Sequence, residues 1–189
     1  MKIRVFCAIE LPLNVREEAA RRIEHLREKF PRAKASWERA EKMHLTLKFL
    51  GDVEEKRFQS INKTVEMVAS AFQPFEMSIE GTGAFPSRGI PRVMWLGAKD
   101  DSGNLSRVQE KLEDEFARVG FKKETRAFHP HLTLARVRAP EDAKELREEH
   151  ERLDFKTPSF TVEEIVVMRS ELSPSGSRYT KIAQHDLKK

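Results

Sequence analysis

The chain has 189 residues, 39% hydrophobic and 35% charged, with 35 Lys+Arg against 31 Asp+Glu and a formal net charge of +4. A chain of this size buries roughly 70% of its unfolded surface, so it can form a core without covalent staples. Its single cysteine, Cys7, excludes an internal disulfide framework and points to a reducing compartment. No apolar run approaches the ~20 residues of a membrane helix, and the first residues enter a strand pattern without a signal-peptide layout. The expectation is therefore a cytoplasmic protein with no membrane partner. The charged fraction exceeds the usual ~25%, with Lys, Arg and Glu crowding the helical stretches, which fits a heat-adapted source. The basic excess favours polyanionic partners but is too small for a purely electrostatic grip on nucleic acid.

In chain order, residues 3–10 alternate and are rich in Ile, Val and Phe, which predicts a strand ending at Leu11-Pro12. Val15, Ala19, Ile23, Leu26 and Phe30 fall at helical spacings, with Asn14 and Glu17 as a candidate cap. Residues 31–42 look irregular. A second strand runs from His44 to Gly51, a second helix carries Phe58, Ile61, Val65, Val68 and Phe72, and a third strand spans Phe75 to Glu80. Residues 81–92 hold three glycines and two prolines and are expected to cross between two lobes. A similar order of elements follows. Val93 to Gly97 is a strand, Leu105 to Val119 a helix closed by Gly120, and His131 to Leu134 lies in a strand. Pro140 opens a helix with the stripe Ala143, Leu146, His150 and Leu153. Phe160 to Met168 reads as a strand, Pro174-Ser175-Gly176 as a turn, and Tyr179 to Ala183 as a closing strand.

The string His-Leu-Thr-Leu occurs at 44–47 and again at 131–134, each time after a strand and a helix. The offset of about 87 residues is too long for a solenoid repeat. The predicted fold is α+β: one bilobal, internally duplicated domain over 1–189, with two antiparallel-rich sheets lining a central cleft and helices outside. A pseudo-twofold axis would relate the lobes.

Within a strand, His44 and Thr46 share one face while Leu45 and Leu47 share the other, and the same holds for His131 and Thr133 against Leu132 and Leu134. Imidazole and hydroxyl on an inner strand cost packing unless they line a polar cleft. Two imidazoles facing one cleft can hold opposite protonation states near neutrality, one taking a proton and the other giving it, as phosphodiester cleavage requires. Threonine hydroxyls and a guanidinium would serve the phosphate oxygens. The chemistry needs no metal or other cofactor: a strand His-x-Thr offers one good ligand, and neither His-Glu-x-x-His, a Gly-x-Ser-x-Gly elbow nor a Walker motif is present.

These residues resemble the two-histidine (2H) phosphoesterases, and within them the RNA 2′,3′-cyclic phosphodiesterase family, also known as the 2′-5′ RNA ligase family. The likeness covers nearly the whole chain. It is carried by Arg4 to Ile9, His44 to Gly51, Pro91 to Gly97, His131 to Arg136 and Ser173 to Tyr179. The resemblance implies hydrolysis of RNA 2′,3′-cyclic phosphate ends to 2′-phosphates, run backwards as 2′-5′ ligation. His44 would protonate the departing 3′ oxygen and His131 would activate water. Thr46 and Thr133 would hold the phosphate, Arg136 would lie beside it, and Phe49 near the nucleotide. Strict alternation puts Arg136 and Phe49 on the faces opposite their histidines, so those two roles require a bulge or a strand end. The implied partner is RNA with cyclic phosphate ends, such as tRNA fragments, acted on by a monomer.

Two other readings stay open at this level: a phosphodiesterase acting on a small cyclic phosphate or a 2′-5′ oligoadenylate, and a non-catalytic RNA-binding module. The remaining histidines are expected to be ordinary: His25 exposed, His129 structural, His150 packed on its stripe and His185 near a frayed end. Trp95 is expected to pack. Trp37 is expected to pack as well, although its place before His44 would also let it stack on a base. Cys7 reads as a small strand residue.

Overall fold

A computed structural model describes residues 2–173 and 176–188, so Pro174 and Ser175 of the expected turn lie outside the described residues. Among the described residues, nine strands and four helices follow one another: β1 (Lys2–Glu10), α1 (Leu13–Lys29), β2 (Ala35–Trp37), β3 (His44–Glu54), α2 (Phe58–Ala69), β4 (Phe75–Phe85), β5 (Val93–Lys99), α3 (Asn104–Arg118), β6 (His131–Val137), α4 (Ala143–Arg152), β7 (Phe160–Val162), β8 (Glu164–Ser173) and β9 (Gly176–Asp186). The strands form two antiparallel sheets, ordered β3-β1-β8-β9 and β2-β6-β5-β4-β7.

The helices follow the predicted stripes. α1 buries Val15, Ala19, Ile23 and Leu26, and Arg27 and Lys29 in its last turn suit the helix dipole. It starts directly behind Pro12, whose lack of an N–H suits a helix entry, so Asn14 lies inside the helix and caps nothing. One continuous apolar cluster joins Val5, Cys7 and Ile9 of β1 to Met94 and Leu96 of β5 and to the inner faces of the helices. The reverse face of β1 contributes Phe6 and Ala8, which pack with Val166, Met168 and Tyr179 into a separate small cluster. That cluster floors the cleft on the first sheet.

The duplication is visible in the pairing. β1 pairs with β3 so that Glu10 lies opposite His44, and β5 pairs with β6 so that Gly97 lies opposite His131. The halves exchange parts: α1 packs on β6 and α4, α3 packs on β3, and β3 comes against β6. Arg22 of α1 donates to the carbonyls of His150, Leu153 and Asp154, at 3.3, 3.0 and 2.7 Å.

The expected crossing at 81–92 is corrected. Residues 81–85 extend β4, and the rest connects β4 to β5 as a hairpin within the second sheet. The chain instead changes sheet around β2, after α2, and at Glu163 between β7 and β8. The single strand expected over Phe160 to Met168 is therefore two strands in different sheets, with the Glu163 carbonyl between them accepting from Leu187 N at 2.7 Å. Residues 31–42 are not wholly irregular, because Ala35–Trp37 pairs with β6. β9 runs to Asp186, so His185 sits in a paired strand and not at a frayed end.

Candidate active site

Each histidine strand carries a bulge at the same place. Across from β1, Thr46 pairs with Ala8 and Lys48 with Cys7, leaving Leu47 extra; across from β5, Thr133 pairs with Trp95 and Ala135 with Met94, leaving Leu134 extra. A bulge breaks the two-residue alternation. Leu47 and Lys48 are both buried, as are Leu134 and Ala135, and the next residues, Phe49 and Arg136, turn out to the exposed side. The ring of Phe49 lies 5.6 Å from that of Phe6, which in turn lies 4.8 Å from that of His44. The bulge thereby brings Phe49 to the histidine's side of its strand. Thr46 and Thr133 stay half-buried on the imidazole faces.

Both imidazoles are held in one way. His44 Nδ1 donates to the carbonyl of Lys42 at 2.8 Å, and His131 Nδ1 donates to the carbonyl of His129 at 2.7 Å. A proton fixed on Nδ1 leaves Nε2 as the lone-pair nitrogen of the neutral ring, or as the acid of the charged ring. Aromatic walls enclose each one. Phe6 and Tyr179 stand against His44, Tyr179 edge-on at 4.9 Å; Phe85 stands edge-on to His131 at 5.1 Å, with Trp95 at 6.4 Å.

Burial against these walls pushes both histidine pKa values below the usual imidazole range. The neighbouring charges then differ in sign. Glu10 draws His44 back up, whereas Arg136 holds His131 further down. The Arg136 charge also acts on Tyr179, whose phenol is raised chiefly by burial. Arg136 of the second sheet thus lies within electrostatic reach both of His131 and of the tyrosine that walls His44.

The other expectations resolve individually. His150 is fully buried, donates Nε2–H to the Trp95 carbonyl at 2.9 Å, and has its pKa pushed down to about 4 by burial. His25 reaches Glu149 Oε1 at 3.1 Å from a half-exposed position. The His129 ring packs edge-on against Phe85 and Trp95. Trp37 belongs to β2 and packs on the core. Cys7 is buried and its thiol is pushed up to about 12, so it is no nucleophile. Among the described residues, no three His, Cys, Asp or Glu side chains gather as a metal would need. Nor is any described helix long and apolar enough to cross a membrane. Sequence reasoning left out of the site the walls Phe6, Phe85 and Tyr179. For Phe6 the signal was its parity with Ala8 on the cleft side of β1.

The sequence model of the 2′-5′ RNA ligase superfamily matches residues 15–174. The chain belongs to this superfamily. A relative from Methanothermobacter thermautotrophicus named RNA 2′,3′-cyclic phosphodiesterase is 37% identical over 181 residues, covering 95% of this chain and 96% of its own. A solved Thermus thermophilus structure superposes with a TM-score of 0.79 at 28% identity, covering 98% of each chain. E. coli LigT complexed with 3′-AMP gives 0.72 at 28% identity over the full length of both. The superfamily fold thus extends across both halves of the duplication.

Proposed function

We propose that this chain hydrolyses 2′,3′-cyclic phosphate ends of RNA to 2′-phosphates by two-histidine acid–base catalysis, without a metal. The observation that carries this reading is the matched pair of Nδ1-to-carbonyl bonds, which presents one free Nε2 from each half of a duplicated strand motif. Relatives named RNA 2′,3′-cyclic phosphodiesterase, at 31–37% identity over most of the chain, support the choice of substrate.

In the proposed reaction, neutral His131 takes a proton from water as its oxygen attacks phosphorus. The P–O3′ bond breaks, and His44, as the cation, donates its Nε2 proton to the departing O3′. The products are a 2′-phosphate and a 3′-hydroxyl, and exchange with solvent restores both imidazoles. The charge pattern supports this order of roles, because Glu10 favours the cation at His44 while Arg136 favours the neutral ring at His131. Thr46, Thr133 and Arg136 serve the phosphate oxygens, where negative charge grows in the transition state, and Phe49 offers an exposed ring to the nucleotide. Run in reverse with a 2′-hydroxyl in place of water, the same pair makes a 2′-5′ linkage.

The test is turnover of an RNA ending in a 2′,3′-cyclic phosphate, with the product ends identified. His44→Ala and His131→Ala are each expected to lower kcat by roughly 10²–10⁴. The double variant should lose little more, because the two residues act as one unit. Retained turnover in either single variant overturns the reading.

A further inference from the structure

A cavity of about 400 Å³ opens beside His44, between the start of α1, the turn before β3 and the strands β8 and β9. His44 and Tyr179 form one side of it, and its cationic side chains are not used in the reaction described above. Its cationic lining is Arg16, Lys42, Arg178 and Lys181, against the carboxylates Glu10 and Glu41. Lys181 and Glu10 are already paired at 2.6 Å, which leaves three cations facing one carboxylate. Arg16 Nε is buried and has no hydrogen-bond partner among the described residues. A buried guanidinium N–H without an acceptor is costly, and an entering anion would supply the acceptor. Met168 and Tyr179 add an apolar wall beside the imidazole.

We propose that this cavity is a second anion subsite, which takes the phosphodiester on the 5′ side of the terminal nucleotide, so that the protein prefers an oligonucleotide end to a cyclic mononucleotide. The inference rests on the functional reading above and extends it. If His44 protonates O3′, the ribose bearing that oxygen lies on the His44 side of phosphorus, and its 5′ substituent continues past His44. The next group along the strand is a phosphodiester with one negative charge. Arg16 meets it with a donor fork and Lys42 with a point charge.

The experiment compares kcat/KM for three substrates: a nucleoside 2′,3′-cyclic phosphate, a dinucleotide ending in the same cyclic phosphate, and that dinucleotide with a neutral methylphosphonate linkage. The charged dinucleotide is expected to exceed the neutral one roughly ten-fold. Arg16→Gln should collapse that ratio toward one, and Lys42→Gln, on a separate segment, should reduce it in the same direction. Because the readout is a ratio within each variant, partial loss of folded protein cancels. Equal turnover of charged and neutral linkages by the parent protein overturns the subsite, as does an unchanged ratio in both variants, while turnover of the mononucleotide upholds the functional reading. If none of the three substrates is turned over, that reading falls and the subsite with it.

Discussion

The segments leading into the two histidines have the same task and are held by different means. Before His44, the chain lies along β6 as a strand: Ala35, Ser36 and Trp37 pair with Val137, Arg136 and Ala135, and Glu38 N donates to the Leu134 carbonyl at 2.8 Å. Before His131, residues 121–130 form no regular element: main-chain bonds tie the ends, Phe121 N to the Phe116 carbonyl and Ala98 N to the Pro130 carbonyl, and side chains hold the stretch between. Lys48 Nζ reaches Glu113 Oε2 at 2.6 Å and the Lys122 carbonyl at 3.2 Å, while Glu113 Oε2 also accepts from Glu124 N at 3.1 Å and Gln109 bonds the second carboxylate oxygen. In both cases the segment docks on the bulged strand of the opposite half. The residue after the extra leucine is Ala135 where a strand lies alongside and Lys48 where an ion pair does the holding. Main-chain pairing tolerates side-chain change, whereas a buried ion pair fails when one partner is removed.

The largest expected effect follows directly. Lys48→Met leaves the Glu113 carboxylate buried without its cation, since the side chains are only 2% and 12% exposed. It should cost about 3–5 kcal/mol in urea unfolding. Ser36→Ala, which removes only the contact with the Arg138 Nε at 2.9 Å, should cost less than about 1 kcal/mol. Equal costs for the two changes would erase the contrast between the segments.

A second asymmetry is pH-dependent stability, because the half that carries His131 also contains buried His150. Its folded pKa of about 4 lies below the ordinary 6.5, so the folded state binds fewer protons between these values. Its contribution is complete above pH 6.5 and is lost as pH falls toward 4, amounting to about 3 kcal/mol. Unfolding curves at pH 7, 5.5 and 4.5 should show this slope. In His150→Gln, which keeps a donor for the Trp95 carbonyl but has no proton to take up, the slope should flatten.

Smaller shifts are expected in catalysis. With both site histidines pushed below the usual range, the kcat/KM profile should be a bell with its optimum on the acid side of 6.5. Glu10→Gln should move the His44 limb to lower pH, and Arg136→Gln should move the His131 limb to higher pH. Movement of either limb in the opposite direction would contradict the charge asymmetry between the halves.

The sequence made much of this molecule legible, and the lapses share a cause. The helices announced themselves by apolar spacing, and the repeated His-Leu-Thr-Leu string marked both halves of the proposed site and the face each imidazole shares with its threonine. The bulge that Phe49 and Arg136 required is present in each strand, but the burial of Lys48 could not be read ahead, because a bulge is a property of the pairing partner and leaves no mark in the strand's own residues. β2 escaped for a similar reason: three residues carry no periodicity, and only docking on β6 makes them a strand. The change of sheet at Glu163 was hidden because the residues on both sides are equally strand-like. The glycines and prolines of 81–92 marked a turn, as they should, but a turn inside a hairpin and a turn between lobes have the same composition.

The exchange of docking segments also bears on how the molecule comes into being. Since each imidazole is oriented through a stretch of chain that rests on the opposite half, neither half can ripen its own histidine while the other is still unformed. Competence is therefore expected to return in one step on refolding, in time with the last native tertiary signal and with no half-active species preceding it.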